Sequence, residues 1–351
     1  MKTLVDKIGT DAPDNSILQK YAGIIKSGGL VAFPTETVYG LGANALDDSA
    51  VRKIFEVKNR PANNPLIAHI SSLEMLETVA RCVPQELERL FLEFWPGALT
   101  VVLQKRDSVP FSVTAGGDTV AVRCPSHPVA IELIRLSGVP IVAPSANLSG
   151  RPSPTCFEHV YSDLYGKVAG IIDGGRCDIG IESTVVIPSG KSALKILRPG
   201  AVTPQMLESC GFETSVDKNV LTPVRDNNAV VASPGMLYRH YAPRAAMELV
   251  RGNDFDVISY IKNKISESGA GERIGVLCFD GESELYNNAV VIEYGAPDKP
   301  LSLSKNLFAA LRGFDEADVT KIYARVIEPC GLGLGIYNRM LRAASFNVTA
   351  L

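Results

Sequence analysis

Several short polar clusters in this chain have the residue types and spacing to do chemistry, and each sits where a strand or helix should end. Pro34-Thr-Glu-Thr-Val-Tyr-Gly-Leu-Gly42 follows an apolar run and packs hydroxyls, a carboxylate and two glycines where backbone can approach a ligand closely. Thr37-Val38-Tyr39 are poor turn formers, which argues against a plain connection. Lys58-Asn-Arg60-Pro-Ala-Asn-Asn64-Pro-Leu-Ile-Ala-His69 puts two cations after a helical stretch. They either offset that helix's macrodipole, or are held by Pro61 and the Asn63-Asn64-Pro65 turn to bind phosphate or carboxylate. His69 itself, in an apolar run, reads as a core histidine or a ligand-binding one. Thr119-Val-Ala-Val-Arg123 alternates, so Thr119, Ala121 and Arg123 share one face, and an arginine on a buried strand needs an anion, internal or bound. Ser145-Ala-Asn147-Leu-Ser149-Gly150 is an anion nest or an ordinary turn. Asp173-Gly-Gly175, Gly180-Ile-Glu182-Ser183-Thr184 and Arg198-Pro-Gly200 complete the set. If Lys58, Arg60, Arg123 and Arg198 converge, they form a cationic cavity for a polyanion such as ATP. With no nucleophile–base pair in view, its chemistry is positioning and charge neutralisation, as in phosphoryl or nucleotidyl transfer.

Other chemistries find no support. There is no GxxxxGK[ST] loop, GxSxG elbow or HExxH helix. Gly331-Leu-Gly-Leu-Gly335 lies between a strand and a helix but has Ile336 where a dinucleotide fingerprint needs glycine, so it is a tight turn or an anion site. Seven cysteines form no CxxC pair and four histidines lie far apart, which argues against a zinc ribbon or a disulfide framework and fits a reducing cytosol. The start of the chain lacks a signal-peptide pattern, and the longest uncharged stretch, Leu136 to Gly150, holds two prolines and two glycines. A soluble, cytoplasmic protein is expected.

The elements that must position these clusters follow from periodicity. Helices are expected over 16–26 (capped by Asn15, stopped by Gly28-Gly29), 49–58, 73–81, 85–94 and 128–136, and strands over 30–33, 99–103, 119–123, 141–143, 168–172, 184–187 and 194–197. The mixed spacing predicts a twisted, partly antiparallel α/β sheet in a domain spanning 1–210. Residues 211–245 are polar and aperiodic, with prolines at 223, 234 and 243, and read as a linker. From residue 246 to 351 strands and helices alternate, with strands at 247–250, 274–279, 289–293 and 320–327 and helices at 254–266, 303–312 and 336–345, which predicts a smaller parallel α/β domain. The 351 residues suit two domains, and 46% hydrophobic with 21% charged residues suits packed cores. The net charge of −3 is evenly shared, with 20 Lys+Arg and 21 Asp+Glu up to residue 210 and 15 and 17 after it, so electrostatics must come from placement.

PTETVYGLG (34–42), KxRPxxNPLIxH (58–69), FWPGxLT (94–100), TVAVRxPxHP (119–128), SANxSG (145–150), DGGxxxxGxESTVV (173–186) and RPG (198–200) together resemble the threonylcarbamoyl-AMP synthase family. Ser233-Pro-Gly-Met-Leu-Tyr-Arg-His-Tyr-Ala-Pro243 resembles the linker motif of its long, two-domain form. The resemblance implies a YrdC-like catalytic domain, a linker crossing its active site and a Rossmann-like second domain. It implies synthesis of L-threonylcarbamoyladenylate and pyrophosphate from L-threonine, bicarbonate and ATP with Mg²⁺. The product would serve N6-threonylcarbamoyladenosine formation at position 37 of tRNA, completed by a separate transferase complex. Neither a stable nucleic-acid complex nor a membrane is expected. By motif, Lys58 and Arg60 would be catalytic and, with Arg198, neutralise phosphates. Asn64, Thr119, Ser145 and Ser153 would bind the nucleotide, and Tyr238, Arg239, His240 and Tyr241 would cover it. Arg123 would pair with the threonine carboxylate, helped by Thr35, Thr37, His69, Ala143 and Ser183. Leu237, Asn59 and Ala98 stand where the family commonly has lysine, glycine and proline. A noncatalytic RNA-binding module is opposed by the pI near 5.9 and the lack of a basic–aromatic stripe. A carbamoyl-phosphate-using maturation enzyme with a related domain would be expected to carry zinc-finger cysteines.

Overall fold

The computed structural model describes residues 2–223, 240–269 and 271–351. The described chain divides into two units. The first runs to Ser149 and over Ser153–Val220; the second holds Gly150–Pro152, Leu221–Pro223 and the residues from 240 onward.

The first unit carries β1 (Leu4–Lys7), β2 (Val31–Phe33), β3 (Gly40–Asn44), β4 (Ile67–His69), β5 (Leu99–Gln104), β6 (Thr119–Arg123), β7 (Ile141–Val142), β8 (Gly170–Asp173), β9 (Thr184–Gly190), β10 (Ala193–Arg198) and β11 (Glu213–Val216). They form one mixed sheet in the order β1-β8-β2-β3-β7-β4-β6-β5-β9-β10-β11. Most expected elements are present. Two differences carry physical content. The Gly40–Asn44 segment, read as the tail of a polar loop, is a strand antiparallel to β2, and Gly42 is there because a Cβ would press on Phe33 at 2.7 Å and Ile141 at 2.9 Å. Glu213–Val216, read as the start of a linker, pairs in parallel with β10 at the sheet's edge, where a short, largely exposed strand shows no alternation.

One face of this sheet is buried in a continuous core that includes Ala68, Val101, Val122, Val142, Val186 and Ile196. Helices cover only part of the other face, although the residues of both parts are buried. Helices Asn15–Lys26 and Pro128–Ser137 pack Leu18, Tyr21, Leu133 and Ile134 against Val31, Phe33, Ile141 and Ile172. Over β4, β6, β5 and β9 the same face carries only a small separate cluster of Ile67, Val102, Ala121, Val185 and Leu197. That patch is the floor on which the polar residues stand.

Local signals explain the helix ends. Asp14, rather than the expected Asn15, caps the first helix and accepts from the Ser16 amide at 2.8 Å. Helix Asp48–Lys58 ends on Asn59 in the left-handed region (φ 51°), with the Arg60 amide returning to the Phe55 carbonyl at 2.9 Å. Glycine is the natural residue for that conformation and asparagine the usual substitute, so Asn59 performs glycine's task.

The second unit holds β12 (Ala246–Arg251), β13 (Ile274–Cys278), β14 (Val290–Glu293), β15 (Lys321–Arg325) and β16 (Val348–Ala350), in the order β14-β13-β15-β12-β16, with all four pairings parallel. Helices Asp254–Ser266, Pro300–Glu316 and Leu332–Ala343 supply the crossovers, as the alternation predicts. The Gly331–Gly335 run opens the last of these helices. Gly333 allows its turn to close, since a Cβ would meet the Glu328 carbonyl at 2.3 Å.

Asn59→Val should lower stability by about 1–2 kcal/mol in urea unfolding, whereas Asn59→Gly should be nearly neutral. Equal losses would remove the left-handed cap as the reason for Asn59.

Candidate functional site

Strand register assembles the polar residues. His69 lies opposite Arg123 across the parallel β4–β6 pair, and Arg123 opposite Thr100 across β6–β5, so the three stand side by side, all buried, on the face that carries Ile67 and Ala121. From this row the contacts spread outward. Arg123 donates through Nε to the Gly97 carbonyl at 3.1 Å and through one terminal nitrogen to Thr37 Oγ1 at 2.8 Å. Its other terminal nitrogen lies 2.7 Å from Glu36 Oε1. Thr37 Oγ1 is 2.8 Å from Thr35 Oγ1. Thr100 Oγ1 is 2.8 Å from Ser183 Oγ, and Arg198 reaches the Ser183 carbonyl at 3.0 Å and hydroxyl at 3.1 Å. The Ala143 amide donates to the Ile67 carbonyl at 3.0 Å, two residues from His69. Thr35, Thr37, His69, Arg123, Ala143 and Ser183 are thus contiguous and all buried, with Arg198 joined to them through Ser183.

A second group gathers at the other end of the same strands. Thr119 is four residues before Arg123 on the same face, about 13 Å away at 3.3 Å per residue. By the β4–β6 register, Pro65 lies beside Thr119, which brings the buried Asn64 to this end. Arg60 donates to the Pro65 carbonyl at 3.1 Å. Ser145 is bridged to Gly40 at the start of β3, and its hydroxyl donates to Asn147 Oδ1 at 2.5 Å. Lys58 is buried, with its ammonium donating to the Ser145 carbonyl at 2.5 Å and to that of Asn147. It therefore staples this loop from beneath. Ser153 is fully buried and donates to Glu182 Oε1 at 2.5 Å, next to Ser183 of the first group, so this contact ties Ser153 to the Arg123 end. His240 belongs to the second unit, where its ring lies 5.4 Å from that of Tyr241, which in turn packs on Phe308 at 5.2 Å. Tyr238 and Arg239 lie outside the described residues.

Four side chains in these contacts have no role assigned from the sequence: Glu36, Thr100, Asn147 and Glu182. Glu36 had a signal, because an arginine on a buried strand requires an anion and Thr-Glu-Thr places a carboxylate between two hydroxyls. The partner of Arg123 is thus internal, at least in part.

The electrostatics leave the site without a reactive nucleophile. Burial pushes the Glu36 carboxyl up, but the Arg123 guanidinium outweighs it and holds the group below the usual carboxylate range. Burial, then Arg123, drives His69 down to about 3, and burial lowers His127, so both rings are neutral near pH 7. Burial raises the Cys124 thiol to about 11 and pushes Cys177 higher still, so neither supplies a thiolate.

The family model described as Telomere recombination matches residues 23–200, and the one described as Threonylcarbamoyl-AMP synthase, C-terminal domain, matches residues 202–345. The threonylcarbamoyl-AMP synthase of Pyrococcus abyssi is 45% identical over 331 residues, covering 93% of this chain and 94% of its own. This chain belongs to the threonylcarbamoyl-AMP synthase family. The Bacillus subtilis threonylcarbamoyl-AMP synthase is 43% identical over 347 residues, covering 98% of this chain and 97% of its own. A crystal structure of Pyrococcus abyssi Sua5 complexed with L-threonine aligns with a TM-score of 0.92 at 43% identity, over 99% of this chain and 100% of that one. Like the rest of the threonylcarbamoyl-AMP synthase family, the chain is a transferase that makes an adenylate, on a YrdC-like domain followed by a parallel α/β domain.

Because His69 binds its proton more weakly when folded than the ordinary imidazole value of 6.5, the unfolded chain takes that proton first as pH falls. Its contribution to stability is therefore intact above pH 6.5 and lost progressively between 6.5 and about 3. Denaturant unfolding at pH 7, 5.5 and 4.5 should show a shallower loss in His69→Gln; identical slopes would contradict a neutral buried imidazole. Arg123→Ala strands a buried carboxylate and should cost about 3–5 kcal/mol in the same assay, and a loss under 1 kcal/mol would mean that Glu36 finds another partner.

Proposed function

We propose that the two polar ends of this floor hold the two halves of one product, with threonine at the Arg123 end and the ATP phosphates toward Thr119. The carrying observation is the register that puts His69, Arg123 and Thr100 in one row and Thr119 four residues further along the same face. In this reading Arg123 takes the threonine carboxylate, with Thr35, Thr37, His69, Ser183 and the backbone at Ala143 around the rest of the amino acid. Arg60 neutralises phosphate charge from the Thr119 end and Arg198 from the Arg123 end, where Ser183 holds it, and Asn64, Thr119, Ser145 and Ser153 bind the nucleotide. Lys58 fixes the Ser145 loop and adds positive charge beneath it. His240 and Tyr241, with Tyr238 and Arg239, serve the cover over ATP.

Bicarbonate supplies the carbon. The threonine ammonium loses a proton, its nitrogen attacks the bicarbonate carbon and water leaves, giving a carbamate; a carbamate oxygen then attacks the α-phosphorus of ATP, and the bond to pyrophosphate breaks. With His69 lowered to about 3 it is a weak base, and the Cys124 and Cys177 thiols are raised, so the reading gives the residues other work: they orient the reactants, neutralise charge and exclude water from a carbamate and a mixed anhydride that both decompose in it. Among the described residues no three carboxylate, histidine or cysteine side chains gather as a metal site. Mg²⁺ would enter on the ATP phosphates and keep its water ligands, which suits a nucleotide end built of hydroxyls, amides and guanidinium groups. The product serves N6-threonylcarbamoyladenosine formation at position 37 of tRNA through a separate transferase complex. A reducing cytoplasm suits the seven free cysteines, and no described helix is long and apolar enough to cross a membrane.

Pyrophosphate release from ATP with bicarbonate should require L-threonine and fall sharply with L-serine or L-valine. Arg60→Ala should reduce it at least about 100-fold, in the range seen when one charge-stabilising donor is removed. Release indifferent to the amino acid would overturn the reading.

A further inference from the structure

Glu36 is a buried, ionised carboxylate in the middle of the residues proposed to hold threonine, and that reaction gives it no role as yet. Its Oε1 lies 2.7 Å from an Arg123 nitrogen, but neither carboxylate oxygen completes a well-directed hydrogen bond among the described residues. The amides of Ser126 and Glu36 itself help to lower its pKa without pointing squarely at it. An ionised carboxylate has about four acceptor positions, so Glu36 keeps acceptor capacity inside the site. Arg123 likewise uses one N–H on Gly97 and one on Thr37, with a third nitrogen facing Glu36, and a guanidinium has five N–H donors.

The groups facing Glu36 define what it can accept. They are Arg123, the imidazoles of His69 and His127, and the thiols of Cys124 and Cys177, with the charge of Asp178 also acting on His127 and Cys177. Both imidazoles and both thiols are neutral near pH 7. Arg123 is therefore the cation that offsets Glu36, and the pair together is close to neutral. A free carboxylate brought to Arg123 would lie beside the Glu36 carboxylate, and like charges in a dry site repel strongly. A zwitterion brings its own remedy, because its ammonium can sit against Glu36 while its carboxylate sits against Arg123.

We propose that Glu36 recognises the α-ammonium group of the amino-acid substrate, so that the Glu36–Arg123 pair reads a zwitterion as a unit. This rests on the reading that the Arg123 end takes threonine. It makes Glu36 a specificity-determining residue: the site favours free amino acids and disfavours 2-hydroxy acids of the same shape. A carboxylate that only steadied Arg123 would make no such distinction.

The test is equilibrium binding to the full chain by calorimetry, with two probes: L-threonine and the 2,3-dihydroxybutanoate of matching configuration, which has hydroxyl in place of ammonium. Wild type should bind threonine at least about tenfold more tightly, since one charge-assisted hydrogen bond contributes about 1.5–3 kcal/mol. In Glu36→Gln that ratio should collapse toward one, with threonine weakened and the hydroxy acid unchanged or improved. Equal weakening of both probes would mean that Glu36 acts only through Arg123, and an unchanged threonine affinity would also overturn the proposal. Failure of wild type to bind threonine at all would instead sink the site reading beneath it. If Glu36→Gln does not fold, Glu36→Asp keeps the charge but shortens its reach. It should weaken threonine more than the hydroxy acid; an undiminished preference would refute the contact.

Discussion

A guanidinium and a carboxylate taken together out of water constrain this active domain more than any other contact. Either charge alone would be untenable at this depth of burial, and as a pair Arg123 and Glu36 are tolerable only with near-ideal placement. That requirement fixes several loops at once. The segment carrying Glu36 must turn back over the sheet from β2, and it is tied down where the Ile179 amide donates to the Glu36 carbonyl at 2.8 Å and the Gly180 amide to that of Thr37 at 3.1 Å. These two residues lead directly into Glu182 and Ser183, so the loop before β9 is set by the loop after β2. Gly97, which accepts from Arg123, donates its own amide to Cys124 at 2.7 Å and fixes the entry to β5.

Burial decides most of what the walls can perform, and the pair adds to it. Burial, then the Arg123 cation, suppresses protonation of His69, and burial, with Glu36 adding to it, suppresses thiolate formation at Cys124 and Cys177. Groups that would be general acids, bases or nucleophiles in a wetter setting are inert here. Charge available to do work resides in a few guanidinium groups and in the substrates themselves. An adenylate-forming reaction suits such walls, because its nucleophile, leaving group and developing charges all belong to the reactants.

Much of this was legible in the residues. Thr119, Ala121 and Arg123 share a face because alternation admits no other arrangement, and the clusters at strand ends fall where the apolar runs stop. Asn59 reads correctly only with its backbone, as a residue standing in for glycine at a left-handed cap. What stayed hidden depends on pairing between distant strands. Three strands, β2, β4 and β16, are three residues long and β7 only two, too short for periodicity to register. The union of His69 with Arg123 and Thr100 depends on which of these short strands lie together, a choice made by the core on the opposite face. The pairing of Glu36 was hidden for a related reason: Thr-Glu-Thr signals a carboxylate among hydroxyls, but the arginine it meets is 87 positions away.

Lys58 shows why residue type and motif can point to the right place and still leave the role open. An ammonium has three donors, and here it is spent on a small cage of carbonyls from Ser145 and Asn147, with Asn147 Oδ1 at 3.5 Å. The compact charge of lysine fits such a cage, where the planar fork of arginine would not. Those N–H groups are not simultaneously available to a phosphate. Lys58 can still favour one through its charge and by holding the loop that presents Ser145, which itself is bridged to Gly40 at the start of β3. The conformation of the Ser145 loop thus depends on a helix C-terminus some ninety residues earlier. The left-handed Asn59 that ends that helix also launches Arg60 toward the Pro65 carbonyl. One helix end therefore places two of the cations, Lys58 into the carbonyl cage that its compact charge fits and Arg60 toward the Pro65 carbonyl, so the division of labour between them is set by the cap together with their chemistry.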